Sequence, residues 1–173
     1  VEGYSFDQFA IGNLMLQKVR QQTVGLLFDL GIETELRERH LQVADACQAS
    51  LGLDIGPWVL TEKPIQINVK QGVSGSSWGT LEEPDVLVRA GEKLKDAGAT
   101  AIAVVTRFPD EIEKGGIDLY REGNGVDLIG GAEAVISHLL VKCLMLPCAH
   151  APALSELPIN YNLDPRVAAL IYQ

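Results

Sequence analysis

Ala101-Ile102-Ala103-Val104-Val105-Thr106 is an apolar run entered directly from Asp96-Ala97-Gly98-Ala99. It reads as a buried strand following a helix that stops at Gly98, the αβ half of a βαβ unit. That helix opens at Pro84-Asp85, with proline near its first position and an acid favourable to the dipole. Val86, Leu87, Ala90 and Leu94 supply its buried face. Working outward, Thr23-Val24-Gly25-Leu26-Leu27-Phe28 has the profile of a strand covered on both faces. A helix from Thr34 to Ser50 follows, apolar along Leu36, His40, Leu41, Val43, Ala44 and Cys47, and stopped by Gly52. Trp58-Val59-Leu60 and Ile65-Gln66-Ile67-Asn68-Val69 read as two further strands. Lys70 to Glu83 reads as one long polar loop, and Arg107 to Gly125 as another. A helix is expected over Ala132 to Lys142, then a short Cys143-Leu144-Met145-Leu146 segment ending at Pro147. Ser5 to Arg20 is loosely helical, and the tail from Cys148 is mostly irregular, with a helix expected over Arg166 to Ile171.

Alternating strands and helices predict an α/β fold: an open, mainly parallel sheet with helices on both faces, a Rossmann-like three-layer sandwich with a proline-rich C-terminal tail. The 173 residues fit a single α/β domain. A closed barrel needs eight units, and this pattern supplies about four.

Composition narrows the function classes. A formal charge of -9 with scattered basic residues excludes backbone-wide nucleic-acid binding, which needs clustered Lys and Arg. No run approaches the roughly 20 apolar residues of a membrane span. Val1-Glu2-Gly3-Tyr4 has no basic or apolar leader pattern and no initiator methionine, so the chain is expected to be processed or part of a longer protein. Cys47, Cys143 and Cys148 are an odd set without metal-binding spacing, which predicts neither a disulfide framework nor a metal site. No cofactor is expected.

In open parallel sheets ligands bind outside the carboxyl ends of the strands. The segments assigned to that rim are Asp29-Leu30-Gly31, Ser74 to Thr80, Arg107 to Glu111, and Cys148 to Pro152. Cys148 and His150 are the candidate catalytic pair, a thiol beside an imidazole, although they are read as pointing to opposite sides of their segment. The plainer reading is a buried thiol and a hydrogen-bonded ring. Ser76, Ser77 and Trp78 lie in a glycine- and hydroxyl-rich stretch suited to an anion, or form a simple surface loop. Arg107 is the candidate clamp for a carboxylate or phosphate, with Asp110 as a base; the alternative is a helix-start charge cluster. Gly130 and Gly131 precede a helix whose N–H groups suit an anion, with Asp127 as a polar contact whose charge opposes a phosphate. His40 and His138 read as half-buried structural histidines.

Several stretches carry a family resemblance: Val1 to Tyr4, Ser74 to Thr80, Ala101 to Asp110, Gly125 to Leu140, and above all Pro147-Cys148-Ala149-His150-Ala151-Pro152-Ala153. They resemble an uncharacterised domain family of cyanobacteria and plant plastids, whose members look longer at both ends. The resemblance implies a cyanobacterial cytoplasm or a plastid stroma, and brings no reaction with it. Two functions remain. One is a small-molecule enzyme, a carbon–nitrogen hydrolase or an isomerase, with Cys148 as nucleophile, His150 as acid/base and Arg107 holding a small anionic molecule. The other is a non-catalytic binding or assembly subunit, in a homo-oligomer or a larger complex.

Overall fold

The computed structural model describes residues 2–15, 21–109, 120, 122–124, 126–155, 161 and 164. Chain order is α1 (Glu2–Ala10), β1 (Thr23–Phe28), α2 (Thr34–Leu51), β2 (Asp54–Leu60), β3 (Ile67–Gln71), β4 (Ser77–Leu81), α3 (Pro84–Asp96), β5 (Ala101–Arg107), α4 (Gly130–Leu144) and β6 (Cys148–Ala153). Four strands form a parallel sheet in the order β2-β1-β5-β6. The chain therefore leaves β1 toward β2 on one side and returns to β5 on the other, which puts the topological switch point between β1 and β5. The α/β fold with a mainly parallel sheet is as the sequence predicts.

Period-two alternation divides the apolar side chains between two cores. Leu27, Ile102, Val104 and Cys148 face α3 and α4, which contribute Val86, Leu87, Leu94, Ile136 and Leu140. Leu26, Phe28, Val105 and Ala153 face the other way, toward Ala44, Leu36 and Leu41 of α2. Val43, expected on the buried side of α2, is instead 62% exposed.

The carboxyl ends of the strands are tied by one buried side chain. Asp29, just beyond β1, is 0% exposed. Its Oδ1 accepts the N–H groups of Gly31 (2.8 Å) and Ile65 (2.9 Å), and its Oδ2 accepts that of Arg107 (3.0 Å). Beside it, Thr61 Oγ1 accepts the Leu30 N–H and donates to the Lys63 carbonyl. A buried carboxylate is tolerable only when hydrogen bonds replace its lost water, and here three peptide groups do so.

Three expectations need correction. Lys70 to Glu83 is not one loop: β3 and β4 pair antiparallel, from Ile67↔Leu81 to Gln71↔Ser77, as a hairpin outside the parallel sheet. The strand expected at Ile65 to Val69 belongs to this hairpin and begins at Ile67. The Gly72 N–H bonds the Ser76 carbonyl, and Gly75 takes φ +83°, so the glycines and serines build the reversal. The second correction is that α4 runs on to Leu144 and ends with Met145 in the left-handed region. The third is that Cys148 to Ala153 is not an irregular tail but the edge strand β6, paired with β5 from Ile102↔Cys148 to Arg107↔Ala153. Helical Arg166 to Ile171 falls outside the described residues. None of the described helices is long and apolar enough to cross a membrane.

Replacing Asp29 with Ala strips three N–H groups of their acceptor, each worth about 1–3 kcal/mol when left buried and unpaired. Urea unfolding of Asp29→Ala should therefore show a loss of roughly 3 kcal/mol or more, with Asp29→Asn losing less. Wild-type stability in the Ala variant would contradict the role given to this carboxylate.

Candidate functional site

The parallel register decides which candidate residues meet. Cys148 opens β6 beside Ile102, at the amino end of both strands, roughly 16 Å along the strand from the rim. Period two sends Cys148 and His150 to the same face, not to opposite ones as expected. Cys148 lies in the apolar cluster with Ile102, Leu94 and Leu144. Burial pushes its thiol up to about 12. A thiol raised in this way is a poor source of thiolate at neutral pH, which weighs against its expected role as a nucleophile.

His150 finds other partners. Its side chain is 0% exposed, with Nε2 2.7 Å from Thr106 Oγ1 and Nδ1 3.2 Å from Glu133 Oε1. The Phe108 ring packs against it, centroids 5.6 Å apart. A carboxylate only accepts, so Nδ1 carries the proton toward Glu133. With one proton on the ring, Nε2 then accepts the Thr106 hydroxyl. Thr106 ends the core of β5 on the same face, and Glu133 stands in the first turn of α4, so strand and helix meet across the imidazole.

The start of α4 is crowded rather than open. Ser77 Oγ accepts the Gly131 N–H at 3.1 Å, and Asp127 Oδ1 accepts the Ile129 N–H at 3.0 Å. A Cβ on Gly131 would lie 2.5 Å from the Ser77 carbonyl oxygen and the Trp78 Cα, and one on Gly79 would lie 2.4 Å from the Ala132 Cβ. Glycine is needed here because hairpin and helix backbones touch. The expected anion site is thus partly spent on the protein's own hydroxyl and carboxylate. Trp78 is half-exposed with Lys70 Nζ 5.1 Å above its ring, and Ser76 Oγ pairs with Ser74 in the hairpin turn.

Arg107 sits at the switch point, but its guanidinium is engaged. Nε contacts both Glu33 oxygens at 3.1 and 3.0 Å, Nη1 donates to the Phe108 and Ala153 carbonyls, and Nη2 donates to Ser155. These contacts favour a clasp between loops over the expected substrate clamp. Asp110 lies outside the described residues.

The structure thus gathers Ser77, Asp127, Gly130 and Gly131 at the amino end of α4, and His150 reaches that turn through Glu133. Cys148, Ser76 and Arg107 stand apart. Within this cluster Asp127 is pushed up, mainly by burial and further by the Glu133 charge, against hydrogen bonds from Ile129 and Gly130. Burial, then Asp127 and Glu133, push the Tyr120 phenol up as well. Sequence reading passed over Thr106, Glu133 and Tyr120. The available signals were a hydroxyl closing an apolar run and an acid in a helix's first turn.

The model of a protein family described as a protein of unknown function, DUF3326, matches residues 1–171. The chain belongs to this family. An uncharacterized lipoprotein of Synechococcus is 52% identical over 169 residues, covering 98% of this chain and 47% of that protein. The chain thus spans about half the length of this relative. No solved structure matches. What the DUF3326 chain presents chemically is a pair of carboxylates in unlike settings: Asp127 is desolvated and bonded to peptide N–H groups, and Glu133 is backed by a buried imidazole. Environments that separate two acids are the usual basis of acid–base work. Among the described residues no group of three or more His, Cys, Asp or Glu converges to hold a metal ion.

Gly131→Ala should lower stability by about 1–3 kcal/mol in thermal or urea unfolding, because backbone atoms must move to admit the methyl. Alkylation near pH 8 separates the thiols. A value of about 12 against the ordinary 9.0 leaves the Cys148 thiolate about a thousandfold scarcer than that of an unperturbed thiol. Exposed Cys143 should label first and Cys148 last by peptide mass spectrometry; fast labelling of Cys148 would overturn this.

Proposed function

We propose that this chain carries a small-molecule active site at the amino end of α4, where Glu133 and Asp127 perform acid–base chemistry of the isomerase or hydrolase kind and His150 positions Glu133. One observation carries the reading: a buried imidazole held between a threonine hydroxyl and a carboxylate that reaches the surface. The Glu133 side chain is 25% exposed while Thr106 and the ring are fully buried. Glu133 is therefore the member that meets substrate, as general base. His150 and Thr106 are positioning residues that fix its direction. Asp127, held above the usual carboxylate range, is the matching proton donor. Moving a proton between two carbon atoms of a substrate, or drawing one from an attacking water, needs this pair and no thiol.

Charge selects the ligand. The Glu133 carboxylate, with no cationic side chain among the described residues gathered around it, disfavours an anion, so the reading replaces the small anionic molecule expected from sequence with a neutral or cationic one. The lipoprotein name of the Synechococcus relative favours a membrane-associated setting over the cytoplasm or plastid stroma. A second reading, a non-catalytic subunit of a larger assembly, rests on the exposed apolar side chains Phe6, Ile11 and Met15.

The test is a panel of neutral and cationic amides, lactones and enolisable carbonyl compounds. On any compound turned over, Glu133→Gln and His150→Gln should each lose about a hundredfold or more, the usual worth of a positioned acid or base. Cys148→Ala should retain activity within a few-fold. The acid role of Asp127 predicts a rate that falls as pH rises through its raised pKa, since only the protonated form donates. Full activity in folded Glu133→Gln, or its loss only in folded Cys148→Ala, would sink the proposal.

A further inference from the structure

We propose that α1 and the turn after it form a docking surface for polypeptide that longer DUF3326 proteins carry outside the region this chain spans. Phe6 is 67% exposed, Phe9 40%, Ile11 66% and Met15 91%. Phe6 and Phe9 are three residues apart, hence neighbours on one helix face. Ile11 and Met15, within five residues past the helix end, are exposed as well. Large side chains grouped in this way mark an interaction site.

The segment's shape is set by its own bonds. Asn13 and Leu14 donate their N–H groups to the Gln8 carbonyl, Gly12 at φ +81° donates to Phe9, and Asn13 Nδ2 donates to Gln8 Oε1 at 2.9 Å. The helix end is closed before any partner arrives, which lowers the ordering cost of binding. Charge argues against an anionic membrane as the occupant: α1 carries Glu2 and Asp7 and no basic residue. The length of the relative argues for polypeptide of the same protein. The Synechococcus lipoprotein matches this chain almost end to end and has more than half of its own residues beyond the match.

Hydrogen exchange of two unmodified proteins tests this. In the full-length Synechococcus lipoprotein, amides aligned with residues 6–15 should exchange at least about tenfold more slowly than the same amides in this chain. Equal rates would overturn the proposal. So would a stable dimer of this chain by light scattering with those amides protected, which would make a second copy the occupant. Protection of those amides in this chain by vesicles of anionic phospholipid, with none in the full-length protein without lipid, would assign the surface to a membrane.

Discussion

Everything at the functional end of this fold hangs on the buried carboxylate of Asp29. Parallel strands leave their carboxyl ends without mutual connection, because each continues into a separate crossover. Asp29 supplies that connection across the switch point. One oxygen holds the turn after β1 and the approach to β3, and the other holds the first residue of the next rim loop, Arg107. Arg107 is thereby aimed so that its side chain closes on Glu33 and on the carbonyls of Phe108 and Ala153. A carboxylate with no solvent has no freedom to serve two arrangements, so the rim has one.

The fold was legible because its strongest signals are strong anywhere. Ala101 to Thr106 has no polar face, which demands cover on both sides. The helix over 84–96 repeats apolar residues at helical spacing between clear start and stop residues. Less legible were segments whose structure depends on a partner. Ser77 to Leu81 has the serine and glycine of a loop and becomes a strand because β3 lies opposite it. Cys148-Ala-His-Ala-Pro-Ala has one face of alanines only and a proline on the other, and becomes an edge strand through the ladder that β5 provides. An edge tolerates proline, since one side of the strand has no ladder to complete.

The candidate site is legible by residue type, while its contacts are not. His150 was picked out, but the choice of Cys148 as its partner came from sequence proximity. The actual partners lie 44 residues before it, at Thr106, and 17 before it, at Glu133. No local spacing encodes such a meeting; it follows from the register of β5 and β6 and from where α4 begins. The glycines at 130 and 131 were recognised as meaningful and assigned to an anion. Gly131 instead meets the Ser77 and Trp78 backbones, a long-range contact that reads identically in one dimension, while Gly130 faces the nearby Asp127 side chain.

The hairpin is fastened in a way that divides its own sequence into two regimes of change. It hangs outside the parallel sheet and is held at β4, through Gly79 against Ala132 and Ser77 against Gly131. Those anchor positions can vary only together with the first turn of α4. The reversal over 72–76 touches no such neighbour, and Val73 at its tip is fully exposed. Insertions and polar substitutions are free to accumulate there without disturbing strand pairing or the imidazole beyond it. Descendants of this fold can thus vary the hairpin tip while the groups at the amino end of α4 stay where they are.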